Sequence, residues 1–418
     1  MFFSLYIDPG TGSMLFSLII GLVAAGSFGL RALYLKFKFI VSGGNKESNI
    51  DNKKIPYVIF SDHKRYWNVF KPVCDEFEKR GVDLVYWTAS HDDPALSEKY
   101  DHVKAEFIGE GNKAFARLNM MNASIVLSTT PGLDVYQWKR SRNVQWYVHI
   151  LHMISDPITY RMFGLDFFDS LLLTGPYQVS QIRKIENIRS LKSKELKIVG
   201  CTYMDALYER KKEEQVLTSG NSKTVLVAPT WGQSGILARF GEKLIDALLK
   251  SGYLIVIRPH PQSYTSEKEL LEKLQKKYAN EKNLSWNRDN DNFDILNKSD
   301  LMISDFSGVI FDYALVFEKP VIYVDTNFDS APYDAAWTDD TLWTFKILSK
   351  LGCELKEFDF PKIKNVMDSL LKSEELRSSR TEVIAESWSN IGESAKLTVD
   401  YLVSKQKELK SIMEEVSA

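Results

Sequence analysis

Residues 301–324 read LMISDFSGVIFDYALVFEKPVIYV, and this stretch decides the fold. Residues 301–303 are a short apolar run typical of a buried parallel strand, and residues 320–324 form a second one. Between them, residues 309–317 have the apolar spacing of a helix. The pattern predicts a βαβ unit whose small polar turn, residues 304–308, lies at the carboxyl end of a strand. Open α/β sheets bind ligands at that edge, where a helix N-terminus offers N–H groups to an anion.

Two interpretations of this turn remain open at this stage. Ser304, Asp305 and Ser307 could simply cap a structural helix, as serine and aspartate do in many βα loops. Alternatively, these residues and Gly308 surround the phosphate groups of a ligand. The polar groups that follow neighbouring strands decide between the two interpretations.

The composition limits the class of protein. With 418 residues, the chain is long enough for two domains that each have a sizeable core. The 53 basic and 55 acidic residues nearly balance, so we predict no nucleic-acid partner. Cys74, Cys201 and Cys353 form no C-x-x-C pair, which predicts neither a disulfide framework nor a zinc cluster, and favours a reducing compartment.

The N-terminal region contains a long apolar run. Residues 14–35 carry one charge, Arg31, and are long enough to cross a bilayer, which needs about 20 residues. Lys36 and Lys38 follow directly, so the positive-inside rule places everything after residue 40 in the cytoplasm. We therefore predict an N-terminal transmembrane helix. A hairpin that enters one leaflet and a cleaved signal peptide are the alternatives.

The remainder of the chain alternates between short apolar runs and helical segments, the pattern of parallel sheets covered by helices. A charged and polar segment near residue 215 separates two such series. The sequence therefore predicts a membrane anchor at 1–40, a linker at 41–54, Rossmann-like domains at 55–215 and 216–372, and C-terminal helices at 373–418 that pack back across the domains.

Two histidines follow a predicted strand in the first domain. His149 ends this strand and His152 lies three residues further on, at the sheet edge where catalytic residues collect. A histidine there can take a proton from an attacking hydroxyl, although either could instead be packed in the core. The spacing would also suit a metal ion, but no H-E-x-x-H motif is present and no cysteine lies near, so we predict no metal site.

Two strands of the second domain are followed by further polar groups. A glycine-bearing loop that begins near Thr230 follows one strand, and Arg258 and His260 follow the next, each beside a proline that restricts the backbone. A cation and an imidazole are suited to stabilise a pyrophosphate leaving group. These residues and the turn at 304–308 are therefore predicted to converge on one pocket.

Three motifs in the second domain occur in a characteristic order. APTW at 228–231, RPHP at 258–261 and SDFSGVIFDYALVFEKPVIY at 304–323 resemble the CDP-glycerol glycerophosphotransferases of teichoic acid synthesis. The resemblance covers roughly residues 55–390. It implies a GT-B architecture, in which two Rossmann-like domains face a cleft, the first serving the acceptor and the second holding CDP-glycerol.

The resemblance also implies roles for individual residues. His149 aligns with the general base and His152 is its rival, whereas His260 contacts the donor phosphates. Asp312 serves the glycerol of the donor or supports the loop. The residues expected to bind the donor phosphates are Thr230, Arg258, Ser304, Asp305, Ser307 and Gly308. No cofactor or metal ion is expected.

The first domain departs from the family pattern in two places. Where members carry His-Gly-Thr-Pro-Leu-Lys, residues 149–154 read HILHMI. Where members carry Gly-x-Pro-Arg-x-Asp, residues 200–205 read GCTYMD. The acceptor side of the cleft is therefore expected to differ from that of the family.

The predicted function is that of a membrane-anchored transferase. It would move glycerol phosphate, or a related polyol phosphate, from a CDP-linked donor to a lipid-linked or glycan acceptor in cell-envelope polymer synthesis. The expected location is the bacterial inner (cytoplasmic) membrane, crossed once, with the catalytic domains in the cytoplasm. A GT-B glycosyltransferase that uses a nucleotide sugar and a non-catalytic nucleotide-binding scaffold are the alternatives.

Overall fold

Two parallel β-sheets organise the protein. The computed structural model describes residues 54–417 apart from 215–221, 290, 325–327 and 374–375, together with Gly26, Leu30 and Leu33. All strand pairs in both sheets are parallel, and the inner strands are buried along almost their whole length. Such strands need helices on both faces, which explains why their sequences are continuous apolar runs rather than alternating patterns.

The first sheet has seven strands in the order β3-β2-β1-β4-β5-β6-β7. The strands are β1 (Ile55–Ser61), β2 (Leu84–Thr88), β3 (Val103–Phe107), β4 (Ala123–Ser128), β5 (Val144–Ile150), β6 (Ser170–Leu173) and β7 (Glu195–Ile198). The order reverses between β1 and β4, which places the loops that follow these two strands beside a crevice at the carboxyl edge.

The second sheet has six strands in the order β10-β9-β8-β11-β12-β13. They are β8 (Thr224–Val227), β9 (Leu254–Ile257), β10 (Leu284–Trp286), β11 (Leu301–Ser304), β12 (Val321–Val324) and β13 (Gly352–Leu355). Strand β8 pairs with both β9 and β11. The three motifs that follow β8, β9 and β11 are therefore neighbours at one edge of the sheet.

Helices cover both sheets. The α-helices are α1 (Trp67–Lys79), α2 (Asn112–Asn119), α3 (Tyr177–Ile188), α4 (Thr202–Glu213), α5 (Ile236–Leu249), α6 (Ser263–Ser266), α7 (Lys268–Lys277), α8 (Phe293–Lys298), α9 (Val309–Phe311), α10 (Trp343–Leu351), α11 (Ile363–Leu371), α12 (Leu376–Ser387) and α13 (Ser394–Ser417). The helix predicted at 309–317 is interrupted, because α9 continues as a π-helical segment, Asp312–Val316. Such segments occur often at functional sites.

The C-terminal helix α13 completes the core of the first half. Its Val399 and Leu402 are buried in the same cluster as Ile59 of β1 and Phe70 and Phe77 of α1. Full burial of a side chain of this size contributes roughly 1.5–3 kcal/mol. The last helix of the chain thus returns to the half that contains the first described strand.

Buried polar contacts are among those that join the halves. The carboxylate of Asp156, from the first half, accepts hydrogen bonds from the backbone N–H of Trp343 at 2.8 Å and of Thr344 at 2.9 Å, which are the first residues of α10. The guanidinium of Arg189 contacts the carboxylates of Asp166 and Asp334, and all three side chains are nearly inaccessible to solvent. Asp334 is therefore part of the interface between the halves.

The predicted membrane-spanning helix requires a correction. Among the residues that the structure describes, no helix is both long enough and apolar enough to cross a membrane. The fold class predicted from the sequence is wrong in including such a helix, and it is corrected to two α/β domains with parallel sheets. The predicted anchor and linker, residues 1–54, lie outside the described residues except for Gly26, Leu30, Leu33 and Lys54.

Candidate active site

A cavity of about 440 Å³ lies between the carboxyl edges of the two sheets. Its walls come from both halves of the chain. From the first half they include Arg65, Tyr66, His152, Met153 and Tyr203. From the second half they include Thr230, Arg258, His260, Ser307, Gly308 and Asp312. We refer to this cavity as the cleft.

Two residues predicted to bind phosphate have buried side chains that support the loops. The hydroxyl of Ser304 donates a hydrogen bond to the carbonyl oxygen of Ala228 at 2.6 Å, and its side chain is inaccessible to solvent. The carboxylate of Asp305 accepts hydrogen bonds from the N–H groups of Thr230 and Ser307 at 3.0 and 3.2 Å. Both side chains therefore tie the loop after β11 to the loop after β8, and neither offers its polar atoms to a ligand in the cleft.

The turn itself faces the cleft at Ser307 and Gly308. A Cβ atom on Gly308 would lie 2.6 Å from the sulfur of Met153, although its φ angle of −56° is open to any residue. The glycine is thus needed for the close approach of a first-half side chain and not for backbone freedom. Because Asp305 already accepts the N–H of Ser307, Gly308 and Val309 provide the backbone groups nearest to an incoming anion.

His260 presents a defined nitrogen to the cleft. Its Nδ1 accepts a hydrogen bond from the backbone N–H of Gln262 at 3.1 Å, so the neutral ring carries its proton on Nε2. Burial, together with the charges of Arg65 and Arg258, lowers the pKa of His260 to about 4. At neutral pH the side chain is therefore an uncharged hydrogen-bond donor toward the cleft.

Arg258 and Thr230 line the cleft together with His260. The guanidinium of Arg258 donates a hydrogen bond to the side-chain oxygen of Asn287, and burial lowers its pKa from the usual value. Thr230 is half-buried and its N–H is already engaged by Asp305. Both side chains line the cleft, as the sequence predicted for them.

The structure separates the two candidate bases of the first half. His149, the last residue but one of β5, is inaccessible to solvent and does not line the cleft. Its Nε2 lies 3.3 Å from the hydroxyl of Tyr160, its Nδ1 has no partner among the described residues, and burial lowers its pKa to about 3. It therefore cannot meet a substrate hydroxyl in this structure, although its position matches the base in the resemblance.

His152 lies at the cleft wall. Its Nδ1 is 2.9 Å from the hydroxyl oxygen of Thr129 and 3.4 Å from that of Tyr160, which leaves Nε2 for a ligand. Burial, and the charge of Arg65, lower the pKa of His152 to about 4. The ring is therefore neutral at neutral pH, and with its proton on Nδ1 it leaves Nε2 free to accept a proton, as a general base requires.

Asp312 is a further residue that lines the cleft. Its side chain is 6% exposed, and its Oδ1 has no hydrogen-bond partner among the described residues. Burial raises the pKa of Asp312 to about 7. An unpartnered carboxyl at a ligand cavity is suited to a hydroxyl group, so its predicted role toward the glycerol of the donor stays a prediction.

Several cleft residues were missed from the sequence. Arg65 and Tyr66 follow β1, and the signal used for Arg258, a basic residue just beyond a strand, would have identified Arg65. Tyr203 lies in the segment that departs from the family pattern, and its hydroxyl donates a hydrogen bond to Asn292 at 2.8 Å. No sequence pattern indicated that pair, because the contact joins residues from different halves.

A metal site was not predicted. Within the part of the chain that the structure describes, no group of three or more His, Cys, Asp or Glu side chains is arranged to hold a metal ion. Independence from metal and cofactor stays a prediction.

The sequence has identifiable relatives. Residues 171–340 match the family model described as CDP-Glycerol:Poly(glycerophosphate) glycerophosphotransferase. The teichoic acid glycerol-phosphate primase of Bacillus spizizenii is 31% identical over 135 residues, which are 30% of this chain and 32% of the relative. The match thus spans about a third of the length of that curated protein. The family resemblance predicted from the three motifs is confirmed.

Solved structures share the fold. A structure of the wall teichoic acid polymerase TagF has a TM-score of 0.59 at 17% identity and covers 92% of this chain and 99% of its own. A TagF structure soaked with CDPG has a TM-score of 0.56 at 15% identity, covering 93% and 98%. The UDP-GlcNAc 2-epimerase of Methanocaldococcus jannaschii has a TM-score of 0.54 at 12% identity, covering 84% and 100%. These similarities show a GT-B-like fold.

Proposed function

We propose, because residues 171–340 match the family model of CDP-glycerol:poly(glycerophosphate) glycerophosphotransferase, that this chain transfers glycerol phosphate from a CDP-linked donor to an acceptor hydroxyl. One observation carries the proposal. His152 from the first half and His260 and Gly308 from the second half line one cavity of about 440 Å³. A candidate base and a candidate anion site therefore line the same cavity.

The donor binds against the second half. The backbone N–H groups at Gly308 and the side chains of Arg258 and His260 stabilise the diphosphate, since oriented donors in a partly dry site are effective toward phosphate oxygens. As an uncharged Nε2–H donor, His260 stabilises negative charge on the departing CMP without needing to be protonated first.

The acceptor approaches from the first half. Its hydroxyl oxygen attacks the phosphorus that bears the glycerol, and the bond between this phosphorus and the bridging oxygen of CMP breaks. His152 Nε2 takes the hydroxyl proton, while Thr129 and Tyr160 hold the ring through Nδ1. The products are the glycerophosphorylated acceptor, CMP and the proton on His152. Positioning and charge stabilisation account for most of the catalysis in such transfers.

The identity of the substrates is a finer proposal. The name of the primase relative supports glycerol phosphate as the transferred group. A lipid-linked or glycan acceptor is our proposal. A related polyol phosphate would fit the same cleft. The association with the membrane and the location in a bacterial inner membrane stay predictions.

The proposal is tested by incubating the full-length protein with radiolabelled CDP-glycerol and, separately, with UDP-sugars in the presence of bacterial membranes as a source of acceptor. We expect release of CMP and incorporation of label, with no release of UDP. Release of UDP alone would identify a glycosyltransferase. Binding of CDP without turnover of either donor would identify a nucleotide-binding scaffold.

A further inference from the structure

Arg65 contributes a positive charge to the cleft in addition to that of Arg258. It lies on a 3-10 turn, Lys64–Tyr66, that follows β1 directly at the carboxyl edge of the first sheet. Its N–H donates a hydrogen bond to His63 Nδ1 at 3.2 Å, which fixes the backbone, while the side chain is exposed. Arg65 lines the same cleft as Ser307 and Gly308 of the second half.

The guanidinium is close enough to both histidines of the cleft for its charge to act on them. Its charge contributes to the lowered pKa of His152, which belongs to the first half, and of His260, which belongs to the second. Arg65 and Arg258 also line an adjoining cavity of about 670 Å³. Arg65 therefore extends from the first half toward the groups that the second half offers to the donor phosphates.

Among the described residues, no acidic side chain forms an ion pair with Arg65. No N–O distance within 4.0 Å joins it to an acidic side chain in the described ranges, although Asp62 is near enough for its pKa to respond to the charge. Its neighbour Lys64, in contrast, forms an ion pair with Asp92. A second cation, Arg258, lines the same cleft, so an anion between the two would relieve their repulsion.

We propose that Arg65 binds the diphosphate of the nucleotide donor from the side opposite Gly308, so that both halves of the chain hold the same phosphate groups. The inference rests on the proposed function, because it takes the CDP-linked donor as the ligand. Arginine is suited to this position because its planar guanidinium forms two parallel hydrogen bonds with phosphate oxygens.

This arrangement gives Arg65 a second effect. The positive charge of Arg65 disfavours a proton on His152. Phosphate oxygens bound to the guanidinium would offset that charge. His152 therefore becomes a stronger base once the donor is in place. Attack on the donor and activation of the acceptor are thereby linked through one side chain.

The inference is tested by calorimetric titration of CDP into four full-length proteins: the wild type, Arg65→Gln, Arg65→Lys and Lys64→Gln. We expect Arg65→Gln to bind CDP at least tenfold more weakly, Arg65→Lys to be intermediate, and Lys64→Gln to stay within twofold of the wild type. The affinity of Arg65→Gln should also depend less steeply on salt concentration, because one ionic contact is absent. A purely structural role of Arg65 would not produce that change in salt dependence.

Two results would overturn the inference. One is binding of CDP by Arg65→Gln within twofold of the wild type, and the other is an unchanged salt dependence. A titration with inorganic pyrophosphate distinguishes this failure from failure of the proposed function. Pyrophosphate binding that requires Arg65, without any binding of CDP, would support the anion site and overturn the CDP donor. If the wild type binds neither probe, both proposals are wrong.

Discussion

Asp305 accepts the backbone N–H of Thr230 with both carboxylate oxygens, each at 3.0 Å, and thereby joins two loops that are 75 residues apart in sequence. We predict that Asp305→Asn destabilises the protein by about 1–3 kcal/mol, because the amide nitrogen cannot accept a hydrogen bond and leaves buried N–H groups unpaired. Thermal unfolding measures the change, and CDP affinity should fall with it. Asp339→Asn, at an exposed position, is the matched control. Equal melting temperatures for both variants would contradict the prediction.

The two histidines of the first half should differ in their effect on catalysis. We expect His152→Asn to reduce kcat by about 10²–10⁴, the range for loss of a general base, with little change in CDP affinity. We expect His149→Asn to lower the melting temperature and to reduce kcat by less than tenfold, because His149 is buried behind the cleft. Steady-state kinetics and calorimetry on the two variants measure these effects. The reverse ranking in kcat would assign the base to His149.

The raised pKa of Asp312 predicts that the free energy of unfolding depends on pH. Its carboxyl loses its proton at pH 3.8 in a model peptide but only near pH 7 in the folded protein, because burial disfavours the charged form. The native state therefore binds more protons between these values, and the free energy of unfolding falls as the pH rises from about 4 to 7. In Asp312→Asn this decrease should be absent, with a gain on the order of 1–4 kcal/mol at pH 8. Melting temperatures of both proteins at pH 5 and pH 8 test this, and parallel pH profiles would contradict it.

The close contact between Gly308 and Met153 predicts that a second substitution restores the CDP affinity lost through the first. In Gly308→Ala the added methyl group displaces the Met153 side chain into the cleft, and we expect CDP affinity to fall roughly tenfold, or about 1.4 kcal/mol. The double variant Gly308→Ala/Met153→Ala should recover most of the loss, because the two residues are in contact and their effects are not additive. Met153→Ala alone is the control and should bind CDP like the wild type. Additive losses in calorimetric titrations would exclude the steric explanation.

The features that could be predicted from the sequence are those that a single strand and the turn after it determine. The βαβ unit around residues 301–324 is present, with β11 and β12 adjacent in the sheet, because short apolar runs bounded by polar turns have few other ways to be buried. Arg258, His260, Ser307 and Gly308 share one cavity for the same reason: the ends of neighbouring parallel strands meet at one edge.

Sequence reasoning failed where side-chain direction and tertiary packing decide. His149 lies in β5 and His152 follows the strand, yet only His152 reaches the cleft, because the side chain of His149 is buried within the sheet and the chain turns after Ile150. Ser304 and Asp305 were predicted to bind phosphate because serine and aspartate suit both capping and ligand binding. Their hydrogen-bond partners, Ala228 and Thr230, lie in the loop after β8 and could not be identified from the local pattern.

Asp156 has a consequence for how substrates enter and leave. Its carboxylate accepts hydrogen bonds from the first two N–H groups of a helix that begins 187 residues further along the chain. Separating the halves at this contact would leave a buried carboxylate and two backbone N–H groups without hydrogen-bond partners. Breaking such a contact costs several kcal/mol. We therefore expect this edge of the interface to act as a pivot. Relative motion of the halves as substrates enter and leave should therefore be smallest where Asp156 meets the start of α10.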